Sequence, residues 1–203
     1  MLDGIARRLI DGRLDRIGRD LARRGVTADQ VTAAGFIASL IAIGLVAIGS
    51  PAAAVAFVLA GRIADGLDGA VARATAKTDL GGFLDIVCDF VFYGGLPLAF
   101  AIADPAANAL PAAFLIATFY VNGASFLGFA ILAARRGLET AQRGSKSLYF
   151  TTGLAEGTET IAVFLAACLW PAAFPALAWG FGILCLVTAA ARVRLAIATF
   201  RNP

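Results

Sequence analysis

The sequence predicts an all-α, polytopic membrane protein: six transmembrane helices preceded by an amphipathic interfacial helix. Three observations carry that expectation. The 203 residues are 60% hydrophobic and 15% charged, with a mean hydropathy of +0.81, whereas soluble domains run at about 45–50% apolar and about 25% charged. Six apolar stretches approach the about 20 residues that a helix needs to cross a bilayer. Basic residues gather at alternate links between them. The chain has no histidine, so carboxylates are the general bases available to any chemistry. Cys88, Cys168 and Cys185 sit singly in apolar runs and read as small packing residues. No cleavable signal is expected, because the chain opens with charge and its first long apolar run, near Val31, exceeds a signal core.

The elements follow in order. Over residues 1–24, Leu2, Ile5, Leu9, Ile10, Leu14, Ile17 and Leu21 recur at helical spacing, with Arg7, Arg8, Arg13, Arg16, Arg19, Arg23 and Arg24 on the other faces. That pattern suits a helix lying on an anionic membrane surface. GVTADQ (25–30) breaks and restarts the chain, so residues 1–30 form a surface unit and 31–203 a transmembrane catalytic domain with a short tail. The spans are expected near 31–49, 52–72, 80–101, 110–134, 148–169 and 172–196. Ser50-Pro51 and Trp170-Pro171 make tight links, and ADPAAN from Ala103 a slightly longer one. Arg73 and Lys77, then Arg135, Arg136, Arg143 and Lys146, then Arg192, Arg194 and Arg201 all fall on one side. The positive-inside rule therefore places both termini in the cytoplasm, and Arg62 alone lies within a span.

DGLDGAVARATAKTDLGGFLDIVCDF (65–90) interrupts this apolar chain with five aspartates and Arg73. Intramembrane carboxylates are costly and usually face a polar cavity. On helices, Asp65 and Asp68 share a face, as do Asp85 and Asp89. A short link makes the two helices antiparallel neighbours, so the pairs converge near the cytoplasmic end. Four facing carboxylates need cations, and oxygen ligands without sulfur or imidazole suit Mg²⁺ or Mn²⁺. Two such ions can hold a diphosphate. Gly66, Gly69, Gly81 and Gly82 are expected to admit a ligand close to the backbone, and Arg73 to pair with phosphate. Asp79, in KTDLGG, reads as an N-cap.

Asp65-x2-Asp68-Gly69-x2-Ala72-Arg73-x7-Gly81-x3-Asp85-x3-Asp89 resembles the signature of the CDP-alcohol phosphotransferases at all eight fixed positions. The surface helix, the six-span plan and GVTADQVT extend the likeness over most of the chain. The later spans look most like a little-characterised bacterial inner-membrane branch. The resemblance implies transfer of a substituted phosphate from a CDP-alcohol to an acceptor alcohol, releasing CMP. It implies Asp65, Asp68 and Asp85 as metal ligands, with Asp89 contributing to a second metal and acting as general base. Gly69, Ala72, Arg73 and Gly81 would line the cytidine and diphosphate site. It further implies a homodimer in a bacterial-type inner membrane, with membrane lipid as a partner and no nucleic acid.

Weaker signals lie elsewhere. Glu156 and Glu159, near Thr151, Thr152 and Thr158, either recognise the acceptor or pair with Arg62 or a neighbouring helix. Gly153-x3-Gly157 has a helix-packing spacing. Arg135, Arg136, Arg143 and Lys146 either bind an acceptor phosphate or simply obey the positive-inside rule. Two rival readings stand beside the transferase: an intramembrane Mg²⁺-dependent prenyltransferase, and a cation or proton transporter with a carboxylate relay.

Overall fold

The computed structural model describes residues 3–138 and 155–201, with side chains from Gly12 onward. Its helices are α1 (Asp3–Arg23), α2 (Ala28–Ala47), α3 (Pro51–Ala74), α4 (Asp79–Ala103), α5 (Pro105–Arg135), α6 (Gly157–Leu169) and α7 (Phe174–Phe200). A single 3₁₀ turn, Pro171–Ala173, leads into α7, and no strand occurs among the described residues.

Local chemistry sets the boundaries. Gly25, at φ +82°, ends α1 in the left-handed region that only glycine enters cheaply. Thr27 then starts α2 with a capping box, its hydroxyl accepting from the Gln30 amide while Gln30 accepts from the Thr27 amide. Pro51 occupies the first turn of α3, where a missing N–H costs nothing. Two expectations are corrected. The N-cap of α4 is Thr78, not Asp79: the Thr78 hydroxyl accepts from the Gly81 amide at 3.0 Å, and Asp79 falls in the first turn. The ADPAAN link shrinks to Asp104, which caps α5 by accepting from the Ala107 amide, with Pro105 in the first turn. The Asn108 amide group also donates to the Phe100 carbonyl, satisfying the end of α4 and closing the corner.

Among the described residues, four segments are long and apolar enough to cross a membrane: α2, α4, α5 and Pro171–Phe200. α3, at 24 residues, has the length, but Arg62, Asp65, Asp68 and Arg73 interrupt its apolar character. α6 is apolar but spans only 13 residues. Residues 148–154 of the expected fifth span, with Thr151, Thr152 and Gly153, lie outside the described residues, as do Arg143 and Lys146.

The helices close a ring in which α3 packs on α2, α2 on α4, α4 on α5, α5 on α7, and α6 between α7 and α3. Phe92, Leu96, Phe100, Leu115, Phe164 and Phe174 fill its core, and the rings of Phe100 and Phe174 stack at 4.3 Å. α3 and α4 were expected to pack as neighbours. Their backbones are not among the closely packed pairs; α2 packs against both, and polar side chains bridge between them. α1 lies along α3. Gly18 is buried there while Ile17 stays 47% exposed, so part of the apolar stripe turns away from the bundle.

Candidate metal centre and active site

α2 and α3 cross unusually closely. A Cβ on Gly35 would lie 2.8 Å from the Ala64 Cβ, and one on Gly61 would lie 2.8 Å from the Ser39 hydroxyl. Small residues permit such an approach between apolar helices. The crossing places Thr32, one turn before Gly35, against Asp68, one turn after Ala64. The Thr32 hydroxyl donates to Asp68 Oδ2 at 2.6 Å, and Asp68 is only 8% exposed.

Asp65, Asp68 and Asp85 each offer a carboxylate oxygen within 4.8 Å of the other two. The Asp85 carboxyl lies within hydrogen-bond reach of Asp65. Carboxylates that close cannot all stay ionised unless a proton or a cation comes between them. An all-oxygen donor set with a buried, hydroxyl-supported member fits a hard divalent cation such as Mg²⁺ or Mn²⁺.

Asp89 is held differently. Arg62 Nη1 donates to Asp89 Oδ1 at 2.7 Å, and the Tyr93 hydroxyl approaches Oδ2 at 3.4 Å. Arg62 also lies 3.8 Å from Asp65 Oδ2. The fourth carboxylate therefore neighbours the group of three without belonging to it.

The residues expected around a nucleotide diphosphate behave unevenly. Arg73 points to α1, where its Nε and Nη2 donate to Asp15 Oδ1 at 3.2 and 2.7 Å. Gly66 was expected to face a ligand; instead it makes room for α1, since a Cβ there would lie 2.9 Å from Leu14 Cδ1. Gly81 nestles against the Thr78 hydroxyl and the Asp29 carboxylate. A Cβ on Gly69 would meet only the Arg73 guanidinium, and one on Gly82 nothing within 4 Å. Ala72 is half-buried one residue before Arg73.

Several participants escaped the sequence reading. Thr32 and Asp15 carry no local signal of their role, whereas Arg62 was visible as an arginine inside a span, three residues before Asp65. Arg192, read only as tail charge, donates to the Asn122 carbonyl and side-chain oxygens and to Ser125 Oγ at 2.7–3.0 Å. Glu156 stands at the N-cap of α6 and Glu159 in its first turn, and Glu156 lies within electrostatic reach of Arg192. Arg136 donates to the Thr199 and Phe200 carbonyls at the end of α7.

Comparison with known proteins bears on family and fold. The family profile described as CDP-alcohol phosphatidyltransferase matches residues 25–197. The inner membrane protein YnjF of Escherichia coli is 42% identical over 193 residues, covering 95% of this chain and 94% of that protein. An archaetidylinositol phosphate synthase of Pyrococcus horikoshii is 42% identical over 77 residues, 37% of this chain and 41% of that protein. The fold matches the crystal structure of Mycobacterium tuberculosis phosphatidylinositol phosphate synthase with CDP-DAG bound, at a TM-score of 0.67 and 25% identity. That match covers 91% of this chain and 93% of the other.

Proposed function

Because the chain belongs to the CDP-alcohol phosphatidyltransferase family, we propose that it transfers a phosphatidyl group from CDP-diacylglycerol, or a similar CDP-alcohol, to the hydroxyl of an acceptor alcohol in phospholipid synthesis. The observation that carries this reading is the meeting of Asp65, Asp68 and Asp85, three signature carboxylates on two helices, within 4.8 Å. Family membership sets aside the prenyltransferase and transporter readings.

In this reading Asp65, Asp68 and Asp85 hold the divalent cation, with Asp89 at the edge of a second cation site. Bound Mg²⁺ or Mn²⁺ would neutralise charge on the diphosphate. Asp89 receives the proton of the acceptor hydroxyl on a carboxylate oxygen. The acceptor oxygen forms a bond to the phosphorus bearing the lipid, the phosphoanhydride bond to that phosphorus breaks, and CMP leaves with the bonding pair. Gly69, Ala72 and Gly81 line the nucleotide, and Arg73 exchanges Asp15 for a phosphate oxygen. α3 and α6 complete six crossings, with α3 turning its charges inward, and the basic links place both termini in the cytoplasm of a bacterial-type inner membrane. The functional unit is a homodimer.

The acceptor need not be known to test the reaction, because the transfer is reversible in principle. Purified protein in membranes of native lipid should convert radiolabelled CMP into CDP-lipid when Mg²⁺ is present. No incorporation in such membranes, together with no CMP release from CDP-diacylglycerol across an acceptor screen, would refute the proposal. Two relatives are named as synthases of inositol phosphate lipids, so an inositol phosphate heads that screen.

A further inference from the structure

Arg62 is a half-buried cation that the eight-residue signature does not contain. Its side chain is 18% exposed, and a charge so placed persists only with partners. The partners are specific. Nη1 takes Asp89 Oδ1 at 2.7 Å and stands 3.8 Å from Asp65 Oδ2. The guanidinium lies 4.9 Å from the centroid of the Phe92 ring, within cation–π range. Phe92 is fully buried and packs edge-on against Phe164 at 5.6 Å. On its far side Asp89 meets the Tyr93 hydroxyl. Arg62 Nε, meanwhile, is buried without a hydrogen-bond partner among the described residues. An arginine serving only to join two helices would be expected to satisfy that donor. Its pose is set by Asp89 and by the aromatic floor.

We propose that Arg62 is a positioning residue for the transfer step: it holds the Asp89 carboxylate in one orientation on α4, ready for the proton of the acceptor hydroxyl. This rests on Asp89 as the proton acceptor. The Arg62 hydrogen bond fixes Oδ1 and the Tyr93 hydroxyl lies beside Oδ2, so the two contacts together set the carboxylate plane.

The test uses full-length protein in nanodiscs, with Arg62→Gln, Arg62→Lys, Asp89→Asn and the double variant. Three readouts are taken: Mn²⁺ affinity by EPR, CDP-diacylglycerol binding, and CMP exchange. Arg62→Gln should lower exchange at least about 10-fold while donor binding holds. Its Mn²⁺ affinity should rise about 3-fold or more, because a fixed positive charge beside Asp65 is gone. Arg62→Lys, which keeps the charge but not the planar fork, should recover part of the exchange. The double variant should fall no further than Asp89→Asn, and it also removes the risk of an unpaired buried charge that the single change carries.

Wild-type exchange in Arg62→Gln would overturn the proposal. So would losses that multiply in the double variant, or Mn²⁺ affinity falling in step with exchange, which marks a merely structural arginine. If Asp89→Asn itself exchanges at the wild-type rate, it is the Asp89 assignment that fails, a distinguishable result.

Discussion

Thr32→Val should weaken divalent-cation binding about 10- to 100-fold, the range seen when a partner behind a metal ligand is removed. The Thr32 hydroxyl has one proton and two acceptors in reach, Asp68 Oδ2 at 2.6 Å and the Ala28 carbonyl at 3.1 Å. The shorter distance and the charge of the carboxylate give the proton to Asp68. A hydrogen bond to a charged group contributes about 1.5–3 kcal/mol, which at about 1.4 kcal/mol per decade spans the same 10- to 100-fold. Asp68 is 8% exposed, so water has little room to replace the lost donor. Valine keeps the branched shape against α3, and the bundle should stay folded. The assay is Mn²⁺ titration by EPR, with Thr32→Ser as the variant that restores the hydroxyl and stays within about 3-fold of wild type. Equal Mn²⁺ affinity in wild type and Thr32→Val would show that Asp68 is not a ligand supported from α2.

Excess EDTA should abolish CMP exchange, and Asp65→Ala, Asp68→Ala or Asp85→Ala should each abolish Mn²⁺ binding without preventing membrane insertion; full exchange in EDTA would contradict the metal centre. Gly18→Ala should lower the thermal midpoint, since the new Cβ would lie 2.7 Å from the Ala70 Cβ and 2.8 Å from its carbonyl carbon, an overpacking cost of about 1–3 kcal/mol. An unchanged midpoint would mean that α1 does not need its seat on α3. Cysteines introduced at Lys77 and at Ala107, in a background lacking Cys88, should differ in intact cells. An impermeant thiol reagent should reach position 107 and not position 77, and the reverse pattern would invert the orientation.

Helix positions were legible wherever the backbone chemistry is local. Thr27 and Gln30 write a capping box in plain sequence, and Gly25 before them is the stop. Asp104-Pro105 carries the same kind of signal, a cap residue followed by a first-turn proline, although the sequence reading placed a slightly longer link there. In KTDLGG the sequence reading took Asp79 as the cap, and the structure gives that place to Thr78. The choice turns on backbone geometry: Thr78 is extended at φ −117°, ψ 148°, with the Gly81 amide three residues on. Hydropathy found α2, α4, α5 and α7 because their charge is sparse. It also marked 52–72, which forms α3, but the partners that other helices give Arg62, Asp68 and Arg73 are invisible within any window of sequence.

The candidate site divides along the same line. Helical spacing fixes the angle at which a side chain leaves its axis, so Asp65 with Asp68, and Asp85 with Asp89, were placed on common faces from sequence alone. Spacing does not fix what stands opposite. Thr32, Asp15 and the Gly35–Gly61 crossing enter from other helices, and they decide that Asp68 is braced, that Arg73 is held by α1, and that Gly66 receives Leu14. Arg62 marks the boundary between the two kinds of knowledge. Its place one turn before Asp65 was readable by the arithmetic that paired the aspartates, but its tie to Asp89, 27 residues on, needed the fold. Four carboxylates in sequence thus resolve into three that meet and one that a guanidinium holds beside them. In the proposed reaction, that split in charge environment between neighbouring carboxylates would let Asp65, Asp68 and Asp85 hold a cation while Asp89 handles a proton.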